Sequence, residues 1–126
     1  MISEDIVEVS VTYKDRITFF LRMIGIAEEQ RLRQKTFGLT DAEKAEKEYG
    51  NNVQALKDLS VKIPAGMFPK RPEDPSSADL NVYEESFAGP TDALDHFFKD
   101  RSVRKERIAY YAVHGYFIRL APSDFF

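Results

Sequence analysis

The side chains best equipped for chemistry are two histidines and a set of carboxylates. His96 sits beside Asp92, Asp95 and Asp100, a grouping from which an acid/base pair or a metal site can be drawn. His114 stands among Tyr110, Tyr111 and Phe117 further along the chain. The two rings fall on different expected helices, and neither lies in an HExxH or comparable ligand spacing. His96 therefore reads as part of a solvated helix face with local ion pairs, and His114 as a packed or hydrogen-bonded ring. Cysteine is absent, which removes thiolate ligands, a thiol nucleophile and disulfides. No serine occupies a GxSxG elbow, and the glycines form neither a GxGxxG nor a GxxxxGK(S/T) phosphate loop. Carboxylates are plentiful, but a general acid needs an apolar pocket to raise one pKa, and the acidic stretch shows none. No catalytic, metal or cofactor-binding residue is assigned, no cofactor is expected, and the expectation is that the protein is not an enzyme.

Binding chemistry is better represented. Between Glu73 and Asp100 stand eight acidic residues against the single base Lys99. Arg101, Arg104, Lys105 and Arg107 follow at once, opposed only by Glu106. Basic residues with aromatics a turn away, here Tyr110 and Tyr111, are able to hold a nucleic-acid strand. The plainer reading is that the basic cluster answers the acidic run before it, in the same chain or in a neighbouring subunit. A net charge of −3 offers nucleic acid no general attraction. The chain closes on Phe125 and Phe126, which either fold back on the core or serve as an aromatic anchor for a partner. The partner-binding candidates are Arg101, Arg104, Lys105, Arg107, Tyr110, Tyr111, Phe117, Phe125 and Phe126.

These residues need a frame, and the sequence predicts an α+β one in a single domain spanning residues 1–126. Val7, Val9, Val11 and Tyr13 alternate with Glu8, Ser10 and Thr12, which is the period of a half-buried strand. Ile17, Phe19 and Leu21 resume the pattern after Lys14-Asp15, so residues 6–22 read as a β-hairpin whose turn lacks an Asn-Gly or Asp-Gly signature. About four helices follow. The first covers 26–37, acidic before basic, with Gly38 as its stop. The second opens on Thr40-Asp41-Ala42-Glu43 in capping-box spacing. Its apolar stripe runs Ala42, Ala45, Tyr49, Val53, Leu56 and Leu59, and Gly50-Asn51-Asn52 is a weak point at which it is free to bend. Residues 61–88 hold Pro64, Pro69, Pro72 and Pro75 and read as an irregular loop without regular pairing. A short helix over 92–99 comes next, and Ser102 caps a final helix over 103–120 that is apolar on most sides and expected at the centre. No run approaches the ~18 apolar residues of a membrane-spanning helix, and the acidic start Met1-Ile2-Ser3-Glu4-Asp5 does not resemble a secretory signal. The expectation is a cytoplasmic protein with no membrane partner.

The order of features resembles the tail assembly chaperones of long-tailed bacteriophages and prophages. The hairpin closing in Phe19-Phe20-Leu21-Arg22 is similar to that family's short hairpin. The stretch Glu46-Lys47-Glu48-Tyr49, then Ala55-Leu56-Lys57-Asp58-Leu59 and Ile63-Pro64-Ala65-Gly66, resembles its middle helix and proline-glycine exit. The last helix, with Tyr110, Tyr111, Tyr116 and Phe117, is similar to its aromatic last helix, and the Pro-rich stretch is where the likeness is weakest. The resemblance implies an assembly factor of the host cytoplasm that coats the tape measure protein, helps recruit tail tube subunits and self-associates. The alternatives are a small adaptor or regulatory protein of another system, and a nucleic-acid binder using residues 101–107.

Overall fold

The computed structural model describes residues 5–36, 42–68 and 83–121, and of 35, 36 and 42–45 the backbone alone. Gly38, Thr40, Asp41, most of the Pro-rich stretch and Phe125-Phe126 lie outside the described residues. The chain forms an N-terminal two-stranded antiparallel hairpin followed by four helices, an α+β fold. Strands β1 (Ile6–Tyr13) and β2 (Asp15–Arg22) pair from Ile6 with Arg22 to Tyr13 with Asp15. Lys14 turns the chain with φ of 76°, a left-handed conformation that side chains with a Cβ adopt only at a cost. Val7, Val9 and Val11 from β1 and Ile17, Phe19 and Leu21 from β2 are buried, as the alternation requires. Tyr13 ends the same alternation but lies at the turn and is exposed.

The buried face rests on helices. Helix α1 covers Ile26–Thr36, α2 Ala42–Leu59, α3 Pro90–Phe97 and α4 Val103–Leu120. Helix α2 runs unbroken through Gly50-Asn51-Asn52 and buries Ala55, Leu56 and Leu59. Helix α3 starts after Gly89 with Pro90 in its first turn, where the missing N–H has no helical partner to lose. Helix α4 is capped as its sequence predicts: the Ser102 hydroxyl accepts from the Lys105 N–H at 3.1 Å. Its inner face is Ile108, Ala109, Ala112, Val113, Tyr116 and Phe117, all buried. The small residues let it lie close to β1. A Cβ on Gly115 would come within 2.9 Å of Val9 Cγ1. Helix α4 packs chiefly on β1 and α2, and α2 touches β2, α1 and α3. One hydrophobic core therefore joins hairpin and helices.

The expectation of a loop without pairing from residue 61 needs correction at its start. Residues 60–65 run along the outer edge of β2 and form bridges between Leu21 and Ser60 and between Thr18 and Ala65. Val61 N–H donates to the Phe20 carbonyl at 2.9 Å, and Thr18 and Ala65 exchange two bonds of 2.9 Å. Gly66, at φ 83°, permits the approach, because a Cβ there would stand 2.2 Å from the Arg16 carbonyl oxygen. Lys62 Nζ lies 4.0 Å from the centre of the Phe20 ring and fastens the segment from outside. At the far end of the stretch, Glu84–Ser86 makes a single 3-10 turn.

Candidate protein-docking face

The basic cluster is largely spent within the chain. Arg101 Nε donates to Glu106 at 2.6 Å, its guanidinium reaches Glu46 at 3.1 Å, and it lies 4.7 Å from the centre of the Tyr49 ring. The hydrogen bond to Glu106 foremost, with the Glu106 and Glu46 charges, holds its pKa above the usual arginine value. Arg104 crosses to the hairpin, donating to the Tyr13 carbonyl at 3.1 Å and standing 3.5 Å from Asp15. Lys105 sits over the Phe97 ring at 4.9 Å, and Arg107 approaches the Tyr111 hydroxyl at 3.5 Å. For the cluster's Arg101 and Arg104, the carboxylates described beside them come from outside the acidic run. They are Glu46, Glu106 and Asp15, brought near by folding. Within the acidic run Asp95 pairs with Lys57 of α2 at 2.6 Å.

The aromatic candidates divide. Phe117 is in the core, capped by the Arg33 guanidinium at 4.5 Å from its ring centre, so its ring is not presented to a partner. Tyr116 is fully buried, and its hydroxyl donates to the Arg22 carbonyl at 2.5 Å. Burial pushes its pKa up to about 12. Beside it, Arg22 and Glu28 form an ion pair at 2.9 Å. Their hydrogen bond holds the Glu28 carboxyl below its usual value and raises the guanidinium. Tyr110 is half-buried and Tyr111 exposed. His114 is also exposed, its ring parallel to Tyr110 at 5.9 Å between centroids. His96 lies on the surface against Phe87 and Phe68, at 5.4 and 6.1 Å. Among the described residues no group of three or more His, Cys, Asp or Glu is placed to hold a metal ion. Nor, among them, is any helix long and apolar enough to cross a membrane.

The feature that sequence reasoning missed is the outer edge of β1. Met23 N–H donates to the Asp5 carbonyl, which with the register fixes the phase of the ladder. Residues 7, 9 and 11 bond inward to β2, whereas the N–H and C=O groups of Ile6, Glu8, Ser10 and Thr12 point away from it. On β2 the same phase sends Thr18 and Phe20 outward, where residues 61 and 65 meet them. Among the described residues nothing meets the corresponding groups of β1.

Beside that edge lies a groove of ≈ 380 Å³ between residues 9–13 and the α4 residues Tyr111, His114, Gly115 and Arg119. Tyr111, His114 and Ile118 recur at i, i+3 and i+7 on the outer side of α4. Among the described residues, four of the seven large apolar residues left exposed, Ile6, Tyr13, Tyr111 and Ile118, belong to β1 or to this outer side of α4. The arrangement offers unpaired backbone groups and apolar surface, the means of holding another chain. No family model matches this chain, and no curated protein or solved structure matches it either.

Proposed function

We propose that the protein is a non-catalytic, protein-binding assembly factor that uses the face formed by β1 and the outer side of α4. The observation that carries this reading is the exposure of Tyr13 and Tyr111 along a groove beside an open strand edge, with Ile118 exposed on the same side of α4. Apolar surface beside unpaired backbone groups favours association with another chain. The particular role is that of a tail assembly chaperone of a long-tailed phage, acting in the host cytoplasm on the tape measure protein and the tail tube subunits. That role rests on the sequence resemblance, and the α+β frame with its aromatic last helix is compatible with it. Internal pairing of Arg101 and Arg104 weighs against the nucleic-acid reading, since a phosphate would have to displace carboxylates already in place.

Co-expression supplies the test. The chain is produced together with the tape measure protein of a long-tailed phage, and the soluble fraction and co-purification are measured. A soluble complex that is lost in the double variant Tyr111→Asp, Ile118→Asp is the expected result. Equal solubility of the client with and without the chain contradicts the role.

A further inference from the structure

We propose that the outer edge of β1 takes up an extended segment of a partner protein as a third strand, with apolar side chains at alternate positions and an acidic one at the Arg119 end. The proposal deepens the protein-binding reading above and rests on it. An open edge is a template for pairing, and proteins that leave one uncovered usually protect it with lysine, proline, a bulge or brevity. β1 has none of these: Ile6–Tyr13 is eight residues long and carries Glu8 as its single charge. Its paired stretch is regular from Ile6 to Tyr13.

The position of α4 decides what can dock. The helix packs on β1 rather than centrally under both strands, and α2 takes the place beneath β2. Tyr111, His114, Gly115 and Arg119 consequently form a shelf beyond the β1 edge. A third strand would lie ~4.8 Å from β1 and directly over this shelf. A second copy paired through its own β1 would bring its own α4 into the same space, although packed helices need axes ~8–10 Å apart. A strand with no helix beneath it meets no such obstacle. The occupant is therefore an extended segment, and the groove along residues 9–13 accommodates about five residues of it.

Side-chain chemistry follows from the pleat. Alternate residues of the added strand point down with Val9 and Val11 onto Tyr111 and Gly115, and the others point up beside Glu8, Ser10 and Thr12. Arg119 donates to the Gly115 carbonyl at 3.2 Å and has no carboxylate partner among the described residues. An inward acidic residue at that end of the groove would supply one.

The test uses the full chain and a panel of synthetic nine-residue peptides. Each alternates threonine with valine, leucine or phenylalanine and carries one aspartate at an apolar position. Binding is read by calorimetry and by backbone amide signals. At least one peptide is expected to bind, protecting the Glu8, Ser10 and Thr12 amides from exchange. The same peptide N-methylated on alternate amides is expected to lose binding at least tenfold, as main-chain pairing requires. Ser10→Pro in the protein should have the same effect. Arg119→Glu should weaken the aspartate peptide about tenfold and favour a lysine counterpart. No binding across the panel, or equal binding by the N-methylated peptide, overturns the proposal. So does slow exchange of those three amides in the peptide-free chain, whether from a segment of its own or from a second copy. If a natural client still binds Ser10→Pro normally, the edge proposal fails while the assembly-factor reading survives. Peptide binding with no natural client gives the reverse.

Discussion

The two edges of one hairpin meet opposite fates. β2 is closed on its outer side by residues 60–65, which hydrogen-bond to Thr18 and Phe20. β1 carries the same kind of outward backbone groups, and among the described residues nothing meets them beside the helical shelf. Both strands bury an apolar face, Val7, Val9 and Val11 on β1 and Ile17, Phe19 and Leu21 on β2, and their edges are where they differ most. One edge is consumed in building the fold, and the other remains as surface on which a partner can be built.

Proline separates the edges most sharply, and Ser10 and Thr18 are cross-strand neighbours that make the comparison fair. Thr18→Pro deletes the N–H that Ala65 accepts and should lower stability by on the order of 3 kcal/mol in urea unfolding. Ser10→Pro removes no ladder bond and should cost about 1 kcal/mol or less, largely the lost 2.8 Å contact between the two hydroxyls. Equal losses would mean that the β1 edge is already engaged.

Next in size is the glycine that lets the closing segment approach. Gly66→Ala meets both an unfavourable φ and the Arg16 carbonyl, and should cost about 2–3 kcal/mol by the same measurement. Tyr116→Phe leaves the Arg22 carbonyl without its buried donor and should cost about 1–2 kcal/mol. The parent protein also gains a pH signature from this residue. The folded-state pKa of about 12 lies above the ordinary phenol value. The stabilisation is therefore complete below pH ~10 and is lost as pH rises through ~12. Tyr116→Phe should flatten that alkaline decline. The smallest effect is expected at the hairpin turn, where Lys14→Gly relieves a positive φ and should raise stability by about 1 kcal/mol.

What the sequence made legible follows the same division. Period-two alternation reports faces, so the hairpin and its buried valines could be read directly. The Ser102 cap was legible because a side-chain acceptor at a helix start has few other uses. Edges leave no such trace, since the N–H of Ser10 and that of Thr18 belong to any residue but proline. The closing segment is hidden for that reason: Ser60, Val61 and Ala65 contribute backbone, and the close approach that Gly66 permits shows only in the fold. Tyr111 and Phe117 look alike in a helix apolar on most sides. The shelf and the core separated them only once α4 had been set against β1. Arg101 and Arg104 follow the acidic run directly in sequence, whereas Glu46 and Asp15 reach them through the fold.

Hydrogen exchange resolved by residue tests the contrast between the edges most directly. In the isolated chain the outward amide of Thr18 and that of Ala65 should exchange slowly, while those of Glu8, Ser10 and Thr12 exchange orders of magnitude faster. In complex with a client all five should be slow. Protection of Glu8, Ser10 and Thr12 equal to that of Thr18 in the chain alone would contradict an open β1 edge and the docking role built on it.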